Sequence, residues 1–383
     1  MDFGFTAEQE EFRKTIRNFA GKEMAPLVEE AEAKEKFPTE LFPKMGDLGL
    51  LCVSYPKEYG GRQLSKIDEC VWVEEISRIC VGFASALMVQ AGIATSLLRD
   101  YGNEEQKQRY LVPAIKGKKI GAYGLTERDA GSDPTAMKSL AKKDGDSYIL
   151  NGSKMFTTNG PIADFITLTV WTDKEKGFSD GLSILILDTD TPGFAAKALS
   201  KMCIRSSPTG EEFFDNCRIP NRNLIGKEGK GWDYTMEALH NGRILHAFTS
   251  IGLAQAAYEK VRDYALKRVQ YGRPIERFQG VNYKVVNMAT EIEIARTFGY
   301  KVAWLSEKRK DYAAFAAMSK LFASEVAARV ASDAMQIYAG YGLLLDSILE
   351  RYLRDSRRGT VTEGTSEIQR NIIARDIRHG LIE

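Results

Sequence analysis

Gly359-Thr360-Val361-Thr362-Glu363-Gly364-Thr365-Ser366-Glu367-Ile368-Gln369-Arg370-Asn371-Ile372-Ile373-Ala374-Arg375 is the stretch around which the rest of the chain is read. Ile368, Ile372 and Ile373 recur at helical spacing, and Ser366 with Gln369 has the pattern of a capping box, so a helix is predicted to open there. Glu363 then lies in the loop just before it, a carboxylate facing the positive end of a helix. Such an acid stays ionised at neutral pH while pointing into a cleft, the placement a general base requires. Taken alone, the same pattern also fits a solvated loop glutamate.

Outward from this stretch the period is three to four. Val281, Val285, Met288, Ile292, Ala295 and Val302 form one helical face, and Ala313–Tyr338 is an alanine-rich helix carrying Leu321, Val326 and Val330. At the other end, Thr6 with Gln9 is a capping box, followed by Phe12, Ile16 and Phe19 on one face. Pro38-Thr39-Glu40, Asn103-Glu104-Glu105-Gln106 and the apolar Ala84–Leu98 run mark further helices. Between them the period changes. Asp144-Gly145 and Asn151-Gly152 are read as hairpin turns, Phe165–Val170 as an alternating strand, Leu182–Leu187 as a short apolar strand and Pro192-Gly193 as a turn. The chain is therefore read as α+β, with a helical unit over 1–118, a β unit over 119–229 and a bundle of long helices over 230–383.

With 383 residues, 44% of them hydrophobic, the chain can bury sizeable cores. Its 53 basic residues nearly cancel 52 acidic ones, which argues against a nucleic-acid or anionic-membrane surface as its main business. Cys52, Cys70, Cys80, Cys203 and Cys217 show no Cys-x-x-Cys pairing and read as reduced, buried thiols of an intracellular protein. His240, His246 and His379 form no metal-ligand spacing, and no metal is expected. Met1-Asp2-Phe3-Gly4-Phe5 lacks a signal-peptide pattern, and no apolar run is read as membrane-spanning. The cytoplasm of a bacterium or archaeon is the expected location, with the mitochondrial matrix open if the numbering is that of a mature chain.

Four further segments have chemistry in their pattern. Tyr123-Gly124-Leu125-Thr126-Glu127-Arg128-Asp129-Ala130-Gly131-Ser132-Asp133 runs from a strand into a loop of glycine and hydroxyl residues. Its free amides suit a pyrimidine edge or a phosphate, or simply a turn. Lys154-Met155-Phe156-Thr157-Thr158-Asn159-Gly160 sets an aromatic ring among hydroxyls. Arg268-Val269-Gln270-Tyr271-Gly272-Arg273-Pro274, with Gln279, puts fixed cations and an amide at helix ends, suited to a pyrophosphate or to helix capping. Gln336-Ile337-Tyr338-Ala339-Gly340-Tyr341-Gly342 closes the alanine-rich helix. No Gly-x-Gly-x-x-Gly follows a strand, so a Rossmann dinucleotide site is not expected.

Together these motifs resemble the acyl-CoA dehydrogenase family over the whole chain, and Glu363 falls on the family's catalytic base in Glu-Gly-Thr-Ser-Glu-Ile-Gln-Arg. The resemblance implies a central β barrel, a C-terminal four-helix bundle and bound FAD. It places Tyr123, Leu125, Thr126, Gly131, Ser132, Phe156, Thr157, Thr158, Thr365 and Glu367 around the flavin. Arg268, Tyr271 and Gln279 are cofactor-binding positions suited to the pyrophosphate, and Gln336, Ile337 and Gly340 fall on the adenosine half of a flavin held by a neighbouring subunit, so a homo-oligomer, a tetramer, is implied. Ser132, His240, Asn241, Gly242, Arg243 and Gly364 fall on acyl-CoA contacts. Some members carry the base at position 242, where glycine cannot serve. The implied reaction is α,β-dehydrogenation of an acyl-CoA, with electron-transfer flavoprotein as acceptor. An acyl-CoA oxidase or enoyl-CoA reductase on the same site, or a non-catalytic scaffold of the same fold, are the alternatives. This chain departs from the family at Phe156 (usually tryptophan), at Ala339 (glycine) and at His240 (aspartate), which alone reads as a surface histidine. Thr362 replaces a tyrosine, and its smaller volume predicts a pocket for a bulky or branched acyl group.

Overall fold

The computed structural model describes residues 4–308 and 310–380, so positions 1–3 of the N-terminal stretch read above and 381–383 lie outside the described residues. Thr6 opens α1 (Ala7–Phe19) by the expected reciprocal cap with Gln9, and Phe12, Ile16 and Phe19 are buried. α1 lies on α2 (Lys66–Ile79), where Arg13 and Arg17 both grip the buried Glu75. α3 (Val81–Ala91) and α4 (Ile93–Tyr101) break at Gly92. Together they form an apolar stretch that is, contrary to expectation, long enough to cross a membrane. Of its most apolar window 78% is buried inside the protein, as in a core helix pair. Asn103 and Gln106 cap the next helical turn reciprocally, as read.

The β unit holds β1 (Gly121–Gly124), β2 (Leu140–Asp144), β3 (Ser147–Thr158), β4 (Phe165–Trp171), β5 (Leu182–Asp188), β6 (Phe194–Ala198), β7 (Thr209–Pro220) and β8 (Leu224–Ile225). Their order is β6-β7-β3-β2-β4-β5-β8, with β1 parallel beside β4. β2 and β4 meet at a single pair, Leu140 with Trp171, so the sheet divides there. Ala141, Tyr148, Leu150, Phe214, Cys217 and Ile219 from one half face Ala122, Ile166, Leu168, Val170, Leu185 and Leu187 from the other in one core, a barrel-like arrangement open at β6 and β8. The Asp144-Gly145 turn joins β2 to β3 as read. Asn151-Gly152 is no turn: it lies inside β3, where Gly152 at φ 142° breaks the register with β7 as a bulge. β4 is buried at every position and so lacks the one-sided burial expected of an alternating strand.

The C-terminal helices are α5 (Gly231–Lys267), α6 (Gln279–Glu307), α7 (Ala313–Tyr338), α8 (Ile348–Gly359) and α9 (Ser366–Arg378). α5, α6 and α7 pack against one another, and α8 takes the fourth place against α5 and α7, with α9 outside on α7. α2 closes on this bundle. A Cβ at Gly252 of α5 would lie 2.4 Å from the Glu74 carbonyl oxygen, and Arg296 of α6 forks onto the Glu74 carboxylate at 3.1 and 3.0 Å. All five cysteines are free. Cys203 is half-buried rather than buried.

Candidate active site

Between α8 and α9 the chain turns through Glu363 at φ 56° and Gly364 at φ 90°. A glutamate in this left-handed region costs about 1–3 kcal/mol, so the turn must be held from outside. Lys320 Nζ donates to the Gly364 carbonyl at 2.7 Å, and the Gln369 amide donates to the carbonyls of Glu363 (3.1 Å) and Gly364 (3.0 Å). Both side chains are fully buried. The cap of α9 is Thr365, whose hydroxyl accepts from Ile368 N at 3.3 Å, and not Ser366 as the sequence suggested. Gln369 is thereby free to brace the turn. The Glu363 amide has no acceptor among the described residues.

The Glu363 side chain, 23% exposed, turns toward α5. A Cβ at Gly242 would stand 3.0 Å from Oε2, so glycine there lets the carboxylate lie against the helix. His246, one turn on, is fully buried with Nδ1 3.7 Å from Oε1, beyond hydrogen-bond length, and neither ring nitrogen has a partner. Burial alone would raise the Glu363 carboxyl. The His246 contact and the cations Arg358 and Lys320 outweigh it and hold the group below the ordinary glutamate value. Burial, with the field of Arg358, pushes His246 down to about 4, so at neutral pH its ring is uncharged and the charge facing Glu363 comes from Arg358 and Lys320. A lowered carboxyl is ionised at every pH above its pKa and is lost as a base only as pH falls through that value. The acid limb of kcat/KM, which reports the free enzyme, is therefore expected below the ordinary glutamate pKa, and a limb above it would contradict this environment.

The first two sequence motifs come together in the β unit. Lys154, buried in β3, reaches the Leu125 carbonyl and Glu127 Oε1, both at 2.9 Å, and Met155 N donates to the Thr126 carbonyl at 2.7 Å. At the second register break of β3, Phe156 sits at φ 59° with its side chain 60% exposed, and Thr158 is half-buried beyond it. The Thr157 hydroxyl points inward to the buried Glu212 carboxylate at 2.5 Å, and the Tyr123 hydroxyl is tied to Thr169 (2.9 Å) and Thr235 (3.1 Å). These two leave only backbone for a ligand. A Cβ at Gly131 would touch only the Thr126 methyl, at 4.0 Å, and Ser132 is exposed. Thr365 and Glu367 line an open cavity of about 400 Å³ with Arg329, Arg357 and Thr360. In the β unit an outward aromatic ring, glycine backbone and a half-buried hydroxyl fit one part of a flavin nucleotide, and the cavity at Thr365 and Glu367 lies among the C-terminal helices.

Arg268, Tyr271, Gln279, Gln336, Ile337 and Gly340 gather at the far end of the bundle. The Arg268 guanidinium lies over the Tyr341 ring at 5.8 Å, Tyr264 stacks on Tyr338 at 4.0 Å, and Tyr271 is 94% exposed at φ 49°. Along α5, Gly242 and Arg268 are roughly 39 Å apart at 1.5 Å per residue. Ile337 is buried in the last turn of α7. His240 is half-buried, not a surface group. It meets Tyr312 edge-on at 6.3 Å, and burial with the fields of Arg243 and Arg375 pushes it down to about 4. The Asn241 amide donates back to the Glu237 carbonyl at 3.3 Å. Arg243 is buried with Nε and Nη1 unpartnered. Sequence reasoning missed His246, Lys320, Arg358 and Gln369. The signal for His246 was its spacing of four and three from Gly242 and Arg243 on one helix.

Three family models match the chain: the acyl-CoA dehydrogenase N-terminal domain over residues 6–118, the middle domain over 122–217 and the C-terminal domain over 229–378. The chain belongs to the acyl-CoA dehydrogenase family. It is 41% identical over 375 residues to the short-chain specific acyl-CoA dehydrogenase of Clostridium acetobutylicum, covering 98% of this chain and 99% of that one. Among solved structures it is similar to butyryl-CoA dehydrogenase from Megasphaera elsdenii, at 36% identity and a TM-score of 0.95, covering 99% of this chain and all of that one. It is also similar to a chain in the structure of the electron transferring flavoprotein of Acidaminococcus fermentans, at 40% identity and a TM-score of 0.96, covering 98% of this chain and 99% of that one.

Proposed function

We propose that this protein dehydrogenates an acyl-CoA thioester at its α,β bond, with Glu363 as the base, and passes the electrons to electron-transfer flavoprotein. The observation that carries the reading is a strained, braced carboxylate, ionised at neutral pH, at the mouth of a segment whose relatives act on short-chain acyl-CoA. FAD is the cofactor, held by the backbone of Leu125, Thr126 and Gly131, the Phe156 ring, Thr158, and Thr365 with Glu367. When bound it supplies the acceptor for a hydride from the β-carbon.

The chain's own part is to remove the α-proton. Glu363 takes it on a carboxylate oxygen, and the C–H electron pair moves toward the thioester carbonyl. The free Glu363 amide is the donor in this chain that meets the developing oxyanion, and a preorganised donor at that point is worth about 3–4 kcal/mol. Bound acyl-CoA excludes water from the 23% of the side chain now exposed. Desolvation then raises the carboxyl and strengthens it as a base. Anaerobic bleaching of the purified flavoprotein by short acyl-CoAs tests the reading. Hydrogen peroxide formed in proportion to substrate under air would point to an oxidase instead.

The flavin site is shared between subunits of a homotetramer. The separation along α5 supports this, because one chain presents Gly242, beside Glu363, and Arg268 roughly 39 Å apart along one helix. α6 also leaves Tyr283, Val286 and Ile294 exposed on one stripe. Val286→Asp with Ile294→Asp is expected to yield a smaller species by analytical ultracentrifugation that has lost most of its FAD. A wild-type monomer retaining one FAD per chain would exclude a shared site.

A further inference from the structure

His246 projects from α5 on the same face as Gly242, one turn further on, and its ring is fully buried. A neutral imidazole carries one N–H and one lone pair, and neither ring nitrogen has a hydrogen-bond partner among the described residues. Burying a polar ring unpaired is costly, and an aliphatic side chain of similar size would fill the space without that cost. The carboxylate that approaches the ring is Glu363, with Oε1 3.7 Å from Nδ1. Glu363 Oε2 is itself buried and without a donor. A carboxylate short of donors and a ring with one donor to give thus stand about 1 Å too far apart to bond.

The charges around the ring decide where its proton sits. Arg358 from α8 and Lys320 from α7 are the cations whose fields reach it, Arg358 lying beside Asp355, and Glu363 is the anion. Arg243, next to Gly242 on α5, also senses Glu363. Burial and the two cations keep the ring uncharged at neutral pH, so it holds a single proton. Nδ1 is the nitrogen turned to the carboxylate, and a lone pair there would face a negative oxygen, so the proton rests on Nδ1. In the free protein the Glu363 side chain is partly exposed and water competes for its oxygens. Acyl-CoA laid over it removes that water. Lys320 is committed to the Gly364 carbonyl and Gly242 has no side chain, which leaves Nδ1–H as the donor at hand.

Resting on the dehydrogenase reading above, we propose that His246 is a positioning residue for the base: bound substrate brings Glu363 Oε1 onto Nδ1–H, and that hydrogen bond aims the carboxylate at the α-carbon. No proton passes to the ring. The α C–H bond breaks, an O–H bond forms on the Glu363 oxygen that the ring leaves free, and the imidazole keeps its own proton throughout. The same contact also weakens Glu363 as a base, so losing it loosens the carboxylate and raises its pKa together.

His246→Leu is therefore expected to lower kcat by about 10–100-fold with the aim lost. In the same variant the acid limb of kcat/KM moves to higher pH, because a group that held the carboxyl down is gone. His246→Asn puts an amide nitrogen in the place of Nδ1 and is expected to keep both close to wild type. A second measurement needs no turnover: 15N spectra of the FAD-loaded protein labelled at histidine, with His246 assigned by elimination through His240→Asn and His379→Asn. The His246 ring is expected to be neutral near pH 7 with its proton on Nδ1. A proton on Nε2 overturns the proposal even where the leucine variant fails to fold. So does a folded leucine variant whose acid limb stays in place, or one that matches the asparagine variant. If no acyl-CoA bleaches the wild-type flavin, the dehydrogenase reading fails and takes this one with it. Bleaching by a wild type whose His246 carries its proton on Nε2 removes this proposal alone.

Discussion

Glu363→Gln protein keeps its FAD and its fold and no longer bleaches with any acyl-CoA, its rate of flavin reduction falling by about 10²–10⁴-fold. The substitution is close to isosteric, so the turn keeps its Lys320 and Gln369 hydrogen bonds, which go to backbone carbonyls and not to the carboxylate. What is lost is an acceptor for the α-proton. Gly242, whose place on α5 lies against Oε2, has no side chain to take over. Stopped-flow reduction checks this, with flavin content measured on the same sample. A variant reducing its flavin at the wild-type rate would show that the proton leaves to another group.

The second large effect is expected at a residue that never meets substrate. Gln369→Leu removes both amide hydrogen bonds, leaving the Glu363 carbonyl without its partner and the Gly364 carbonyl with Lys320 alone. A buried carbonyl stripped of its donor costs about 1–3 kcal/mol, and a left-handed glutamate without its brace relaxes. Displacement of a reacting group by about 1 Å costs about 10²-fold, so kcat is expected to fall by that order while KM moves little. Lys320→Met works in the same direction through the other brace. Steady-state kinetics beside a thermal melt separate the two consequences, and a destabilised protein of unchanged kcat would show that the turn holds itself.

Much of this was legible in the sequence where burial has one face. The stripe through Met288, Ile292, Ala295 and Val302 and the span Ala313–Tyr338 fall in α6 and α7 as read, because an amphipathic helix writes its period into the chain. The β unit was harder. β4 is buried on both sides and loses the alternation, and the Asn151-Gly152 pair that signals a turn is a bulge inside a twelve-residue strand. Glu363 was found through a family motif and not through its spacing. Its surroundings were not found, because lysine, arginine and glutamine on long helices ordinarily read as solvent-facing. Only the fold shows Lys320, Arg358 and Gln369 turned inward.

The φ of 56° at Glu363 has a bearing on how this chain came to be. Glycine or asparagine would rest in that backbone more comfortably, so a history of selection for thermal endurance alone would have discarded the acid. Its presence in the left-handed turn records a compromise in which a little folding free energy was surrendered for reactivity. A Glu363→Gly variant, inert as an enzyme, should be the sturdier molecule in a thermal melt.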